Sequence, residues 1–108
     1  MESKSEAEVM EEVKAVLSRT GIKIQRINTG AFKVGGRFIR TAAKGTLDFE
    51  GYDNHGRFVG LECKRPKGGR VSVEQQKRID DINAKGGVAG IVTSGTEAFQ
   101  LLQKNGCF

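Results

Sequence analysis

A chain of 108 residues has room for one domain (residues 1–108) and one modest core, and six phenylalanines, one tyrosine and no tryptophan make that core aliphatic. Eighteen basic against thirteen acidic residues give a formal net charge of +5, which serves solubility alone or contact with a polyanion. Two cysteines at unrelated positions, one histidine, no charged-then-apolar leader and no long apolar run argue against a disulfide framework, a zinc site, secretion and a membrane span.

An intracellular, cytoplasmic and reducing location is therefore expected. Over residues 6–19, Val9, Met10, Val13, Val16 and Leu17 recur at helical spacing. Ser5 and Glu8 have the spacing of a capping box, and Gly21 is placed to end the helix. Glu8, Glu11, Glu12, Lys14 and Arg19 fall on or near the solvated side. Glu6 instead lies on the apolar stripe, one turn before Met10, where it either compensates the helix dipole or has a function. Residues 22–27 alternate as a strand with one apolar face. Residues 31–34 and 37–41 then flank Gly35-Gly36 as a hairpin. Basic residues crowd this segment, which either orders against nucleic acid or is a plain surface hairpin.

Residues 45–64 carry the strongest local signal. Two apolar-rich runs flank the turn formers Asp53-Asn54-His55-Gly56. A turn centred near Asn54 and His55 sets Asp48 opposite Glu62, give or take one residue. Period-two alternation then puts Asp48, Glu62 and Lys64 on one face and turns Cys63 away. Two carboxylates and an ammonium at one end of a hairpin make either a divalent-metal site with a catalytic lysine or a structural ion-pair cluster.

Residues 65–70 read as a flexible basic loop. The Walker pattern is absent, so no nucleotide cofactor is expected. Ser72 and Gln75 repeat the capping-box spacing at the start of a helix over residues 73–84, which Gly86-Gly87 ends. Residues 88–93 form a short apolar run, expected to be a strand buried on both faces. Residues 97–104 are expected to be a last helix packed through Phe99, Leu101 and Leu102. The order α-β-(β-hairpin)-β-β-α-β-α predicts an α/β or α+β domain with a central mixed sheet flanked by helices.

Phosphodiester hydrolysis needs an oriented water, neutralisation of charge on the phosphoryl oxygens and help for the leaving oxygen. Carboxylates holding magnesium or manganese supply these, and a lysine on the same face holds the attacking water or counters the pentacovalent charge. An Asp followed by Glu-x-Lys is a weak pattern by itself, but its place after a hairpin turn strengthens it.

Gly45-Thr46-Leu47-Asp48, Glu62-Cys63-Lys64-Arg65-Pro66 and Ser72-Val73-Glu74-Gln75 together resemble the PD-(D/E)XK nuclease superfamily, and within it the VRR-NUC (virus-type replication-repair nuclease) branch. Glu6 and the stretch Arg26-Ile27-Asn28-Thr29-Gly30 resemble that family's opening, so the likeness spans residues 6–94. Leu47 stands where the wider superfamily has proline, a position at which VRR-NUC members vary. The resemblance implies a restriction-endonuclease-like core in a stand-alone domain. It implies Asp48 and Glu62 as metal ligands, the Cys63 backbone carbonyl as a third, Lys64 activating water, Gln75 bracing the site and Glu6 completing it. Arg26, Asn28, Lys33, Arg37, Arg40, Lys44, Arg65, Lys67 and Arg70 are the expected nucleic-acid contacts. The implied activity is that of a Mg2+- or Mn2+-dependent structure-selective DNA endonuclease, a homodimer similar to Holliday-junction resolvases acting on branched DNA. The alternative is a non-catalytic basic nucleic-acid-binding domain of the same fold.

Overall fold

Three serines start the three helices. The computed structural model describes residues 4–27, 31–40 and 45–108, with 31–34 and 38–40 described as backbone only. Helix α1 (Glu6–Thr20) begins where Ser5 Oγ accepts from the Glu8 amide at 3.2 Å and the Glu8 carboxylate accepts from the Ser5 amide. Helix α2 (Val73–Ala84) repeats the device with Ser72 and Gln75, and helix α3 (Gly95–Lys104) starts on Ser94, whose hydroxyl accepts from Glu97 N. Each cap satisfies amides that the first helical turn leaves without a carbonyl partner, an effect of about 1 kcal/mol.

The strands are β1 (Lys23–Arg26), β2 (Ala31–Val34), β3 (Arg37–Arg40), β4 (Phe49–Tyr52), β5 (Phe58–Cys63) and β6 (Val88–Val92). Four of them form a mixed sheet in the order β1-β4-β5-β6, with β5 and β6 parallel and the other neighbours antiparallel. The fold is thus α+β, with a mixed sheet and three helices. β2 and β3 pair with each other apart from this sheet, turning through Gly35 and Gly36 at φ of 55° and 80°. Positive φ at both central residues suits the twist of a two-residue hairpin, which explains the glycine pair.

Alternation along β5 separates two apolar clusters. Val59, Leu61 and Cys63 pack with Val9, Val13 and Leu17 of α1 and with Ala98 and Leu102 of α3. Leu47, Ile79, Ile82 and Ala89 form the second cluster, through which α2 packs. Burying each such leucine or isoleucine stabilises the fold by roughly 1.5–3 kcal/mol. β5 is one of two inner strands of the sheet, and all its residues after Phe58 are buried, Glu62 included.

Two expectations need correction. β6 is an edge strand, and the second cluster stops short of Ile91, which is 40% exposed; β6 is therefore not buried on both faces. Helix α3 begins at Gly95, which turns Gly95, Ala98 and Leu102 inward. Phe99 lies on the outer side against Phe108 instead of in the core, with ring centroids 5.4 Å apart.

Candidate functional site

The hairpin register decides which groups meet. Phe49 pairs with Leu61 and Tyr52 with Phe58, so the next step along the pair brings Asp48 beside Glu62. Asp48 N donates to Glu62 Oε1 at 3.2 Å, and Cys63 N donates to Asp48 Oδ2 at 2.9 Å. Each carboxylate is thus held by an amide of the opposite strand. Lys64 follows β5, its amide bonded to Val92 O at 3.1 Å, and its Nζ sits 2.9 Å from Glu62 Oε2. Cys63 turns away, as alternation requires, and its thiol is fully buried in the α1–α3 cluster.

Both helix starts aim at this strand end. Gln75 Oε1 accepts from Ser72 N at 3.1 Å in the capping box, and its Nε2 donates to Glu62 Oε2 at 2.8 Å. The cap therefore fixes which end of the amide faces the carboxylate. Glu6, the first residue of α1, reaches Lys64 with Oε1 3.8 Å from Nζ. Gly45, at φ 91°, lets the chain before Asp48 pass α2 closely, since a Cβ there would lie 2.9 Å from Glu74 O.

The electrostatics follow from burial. Glu62 is 2% exposed, and its pKa is pushed up to about 7 by that burial and by the neighbouring Asp48 charge, against the pull of Lys64. Asp48 is likewise raised, first by burial and then by Glu6, although the Cys63 amide, Lys64 and Arg26 oppose the shift. Burial alone would lower Lys64, but its hydrogen bond and charge pairing with Glu62, with Glu6 and Asp48 beyond, raise it. Lys64 is thus an ammonium at neutral pH. Burial, with Asp48 and Glu62 adding to it, raises the Cys63 thiol far above its usual range, so that thiol offers no ligand.

Two raised carboxylates side by side carry more negative charge than one lysine comfortably offsets, which is what a hard divalent cation would relieve. Asp48 Oδ1 accepts no hydrogen bond among the described residues. No group of three or more His, Cys, Asp or Glu there converges on one metal position. Asp48 and Glu62 are the two carboxylates at this end that could hold a cation, and their oxygen donors would suit a hard divalent one.

Other residues position the site without having stood out in the sequence. Glu50 accepts from Leu47 N at 2.9 Å, shaping the turn before Asp48, and binds Arg78 of α2 through both oxygens at 2.8 and 2.6 Å. The signal was available: Gln75, Arg78, Ile79 and Ile82 recur at helical spacing, so Arg78 belongs to the face of α2 that meets the sheet. Glu12 falls on or near the solvated side by periodicity, yet its Oε1 accepts from Gly95 N at 3.0 Å and ties α1 to α3.

Of the expected nucleic-acid contacts, Arg26 is exposed at the end of β1 and close enough to lower Asp48. Arg37 is exposed at the β2–β3 turn, and Arg65, Lys67 and Arg70 are exposed on the loop after Lys64. Lys33 and Arg40 lie in β2 and β3, whose side chains fall outside the description, and Asn28 and Lys44 lie outside the described residues. No described helix is long and apolar enough to cross a membrane. The chain matches no family model and no characterised protein.

Proposed function

We propose that the chain is a magnesium- or manganese-dependent, structure-selective DNA endonuclease of the VRR-NUC kind, acting on branched DNA as a homodimer similar to Holliday-junction resolvases. The observation that carries this reading is the meeting of Asp48, Glu62, Lys64, Gln75 and Glu6, from two strands and two helix starts, at one end of the sheet. Glu62 is a carboxylate buried at that end, a costly arrangement that packing does not require.

In this reading Asp48 and Glu62 hold the metal, which when bound supplies neutralisation of phosphoryl charge and a more acidic water. Lys64, kept protonated by Glu62, orients the attacking water or counters the charge building on phosphorus. Gln75 keeps Glu62 aimed through the capped helix start. Glu6 steadies Lys64 from α1. The basic residues around the site attract the phosphate backbone.

A second reading, a non-catalytic basic nucleic-acid-binding domain, draws on one feature: both Glu62 oxygens already accept hydrogen bonds, so the cluster is closed upon itself. Labelled four-way junction, flap and linear duplex, incubated with and without Mg2+, separate the two. Metal-dependent cutting of the branched substrates is expected. Lys64→Ala should reduce cutting at least about a hundredfold, the scale of losing a transition-state charge contact, while leaving junction affinity nearly intact. Equal cutting by the variant would falsify the assignment of Lys64.

A further inference from the structure

Lys64 also lines a cleft of about 480 Å³ shared with Ser5, Glu6, Arg65 and Arg70. Resting on the endonuclease reading, we infer that this cleft is a phosphate subsite, in which Arg65 and Arg70 hold a phosphodiester of the cut strand next to the one attacked. The charge pairing singles it out. Lys64 has Glu62 and Glu6 as partners, whereas Arg65, Lys67 and Arg70 have no carboxylate partner among the described residues. A cleft of equal volume beside Arg57, Arg78 and Lys85 differs in this respect, because those cations are paired with Asp53, Glu50 and Asp81. Among the described residues, the one carboxylate lining the Lys64 cleft, Glu6, faces Lys64, so the arginines are left in excess there.

The loop also orders one arginine in advance. Arg65 Nη2 donates to Gly68 O at 3.3 Å, which folds the guanidinium back over its own loop. A planar, always charged fork held in this way matches phosphate oxygens and loses less freedom on binding than a free lysine does. Because Lys64 belongs both to the cleft and to the carboxylate cluster, an anion bound by Arg65 and Arg70 lies one step along the strand from the reacting phosphate. The subsite then sets register: it fixes which bond faces Asp48 and Glu62.

The test uses branched DNA carrying a single neutral methylphosphonate at successive positions, with wild type and Arg65→Ala/Arg70→Ala. Binding is followed by fluorescence anisotropy in EDTA and cutting in Mg2+. At one position beside the cut, the neutral linkage should weaken wild-type binding about tenfold. The double variant should lose about the same on unmodified DNA, and the two losses should not multiply. The slope of log affinity against log salt should fall by about 1 when the pair is removed, since the two arginines share one phosphate, and Arg65→Lys/Arg70→Lys should restore it. Multiplying losses, or an unchanged slope, overturn the subsite even if the DNA is cut. Non-multiplying losses with no Mg2+-dependent cutting keep the subsite and overturn the endonuclease reading.

Discussion

Glu62 is a carboxylate set in the interior of a sheet, and the free-energy consequences are measurable without any substrate. In the metal-free protein its folded pKa of about 7 lies above the ordinary value of 4.5, so the folded state binds the extra proton between those limits. That contribution to stability is fully present below the unfolded pKa and is lost as pH rises through about 7. Urea unfolding in EDTA should therefore show this part of the stability declining from pH 5 to pH 8, and Glu62→Gln should flatten the decline. An unchanged pH profile in the variant would remove Glu62 as its source. Added Mg2+ should stabilise the wild type more at pH 8 than at pH 5, because the deprotonated pair is the form that binds metal.

Gln75 offers a sharper discrimination, since its two ends do separate work. Gln75→Glu preserves the capping box, because a carboxylate accepts from Ser72 N as well as an amide oxygen does. It also sets a second carboxylate against Glu62 Oε2, where an N–H now donates at 2.8 Å. At pH 8 in EDTA this variant should be less stable than Gln75→Ala, and the gap should narrow at pH 5 as the carboxylates take up protons. A Gln75→Glu protein as stable as wild type at pH 8 would show that the amide does not hold Glu62.

Elements join through contacts that periodicity does not report. Helices α1 and α3 approach where Gly95 meets α1: a Cβ at Gly95 would lie 2.9 Å from Glu12 O and 3.1 Å from Val16 Cγ2. Gly95→Ala should cost about 1–3 kcal/mol by overpacking, read as a lower urea midpoint at unchanged slope; a neutral result would mean that the helices slide apart freely. The β4–β5 turn is anchored just as specifically. Asp53, buried at its base, accepts from His55 N, Arg57 N and Arg57 Nε, while Asn54 N donates to Cys107 O beyond α3. Burial alone would raise Asp53, but these amide bonds and the guanidinium hold it below its usual value. Its contribution is thus present above the unfolded pKa and is lost as pH falls through the folded one. Asp53→Asn should remove that loss on acid titration.

These joints mark what the sequence could and could not disclose. The helix starts at Ser5 and Ser72 were legible because a capping box is local, and Asp48 opposite Glu62 was legible because a turn of known length sets hairpin register. Strand order is not local. Nothing in residues 88–92 announces that β6 has a neighbour on one side only among the described residues, so the apolar run reads as buried on both faces. Asp53 reads as a turn former, and nothing local announces its bond to Arg57, which in turn reaches Cys107 fifty residues on. Glu12 falls on or near the solvated side by periodicity, and Glu50 has no role legible in the pattern, because each finds its partner on an element remote in sequence.

At the scale of the whole molecule, the proposed homodimer and the proposed DNA contact respond to salt in opposite directions. Tyr52, Phe58, Val73, Ile91, Phe99 and Phe108 are large apolar residues left at least 38% exposed, and the proposed dimer would bury those of them that fall on the shared face. Each copy carries a formal charge of +5, and like charge opposes their association until salt screens it. Burial of apolar area is not weakened by moderate salt, so the dimer should tighten as NaCl rises. DNA affinity should fall over the same range, because phosphate contacts release counterions. Light scattering at micromolar concentration should give about twice the 11.7 kDa chain mass, with a dimer dissociation constant that decreases with salt. A mass that stays at one chain from low to high salt contradicts the dimer. A mass of two chains that separates on adding salt would mean that charge pairs across the interface, and not the apolar residues, hold the copies together.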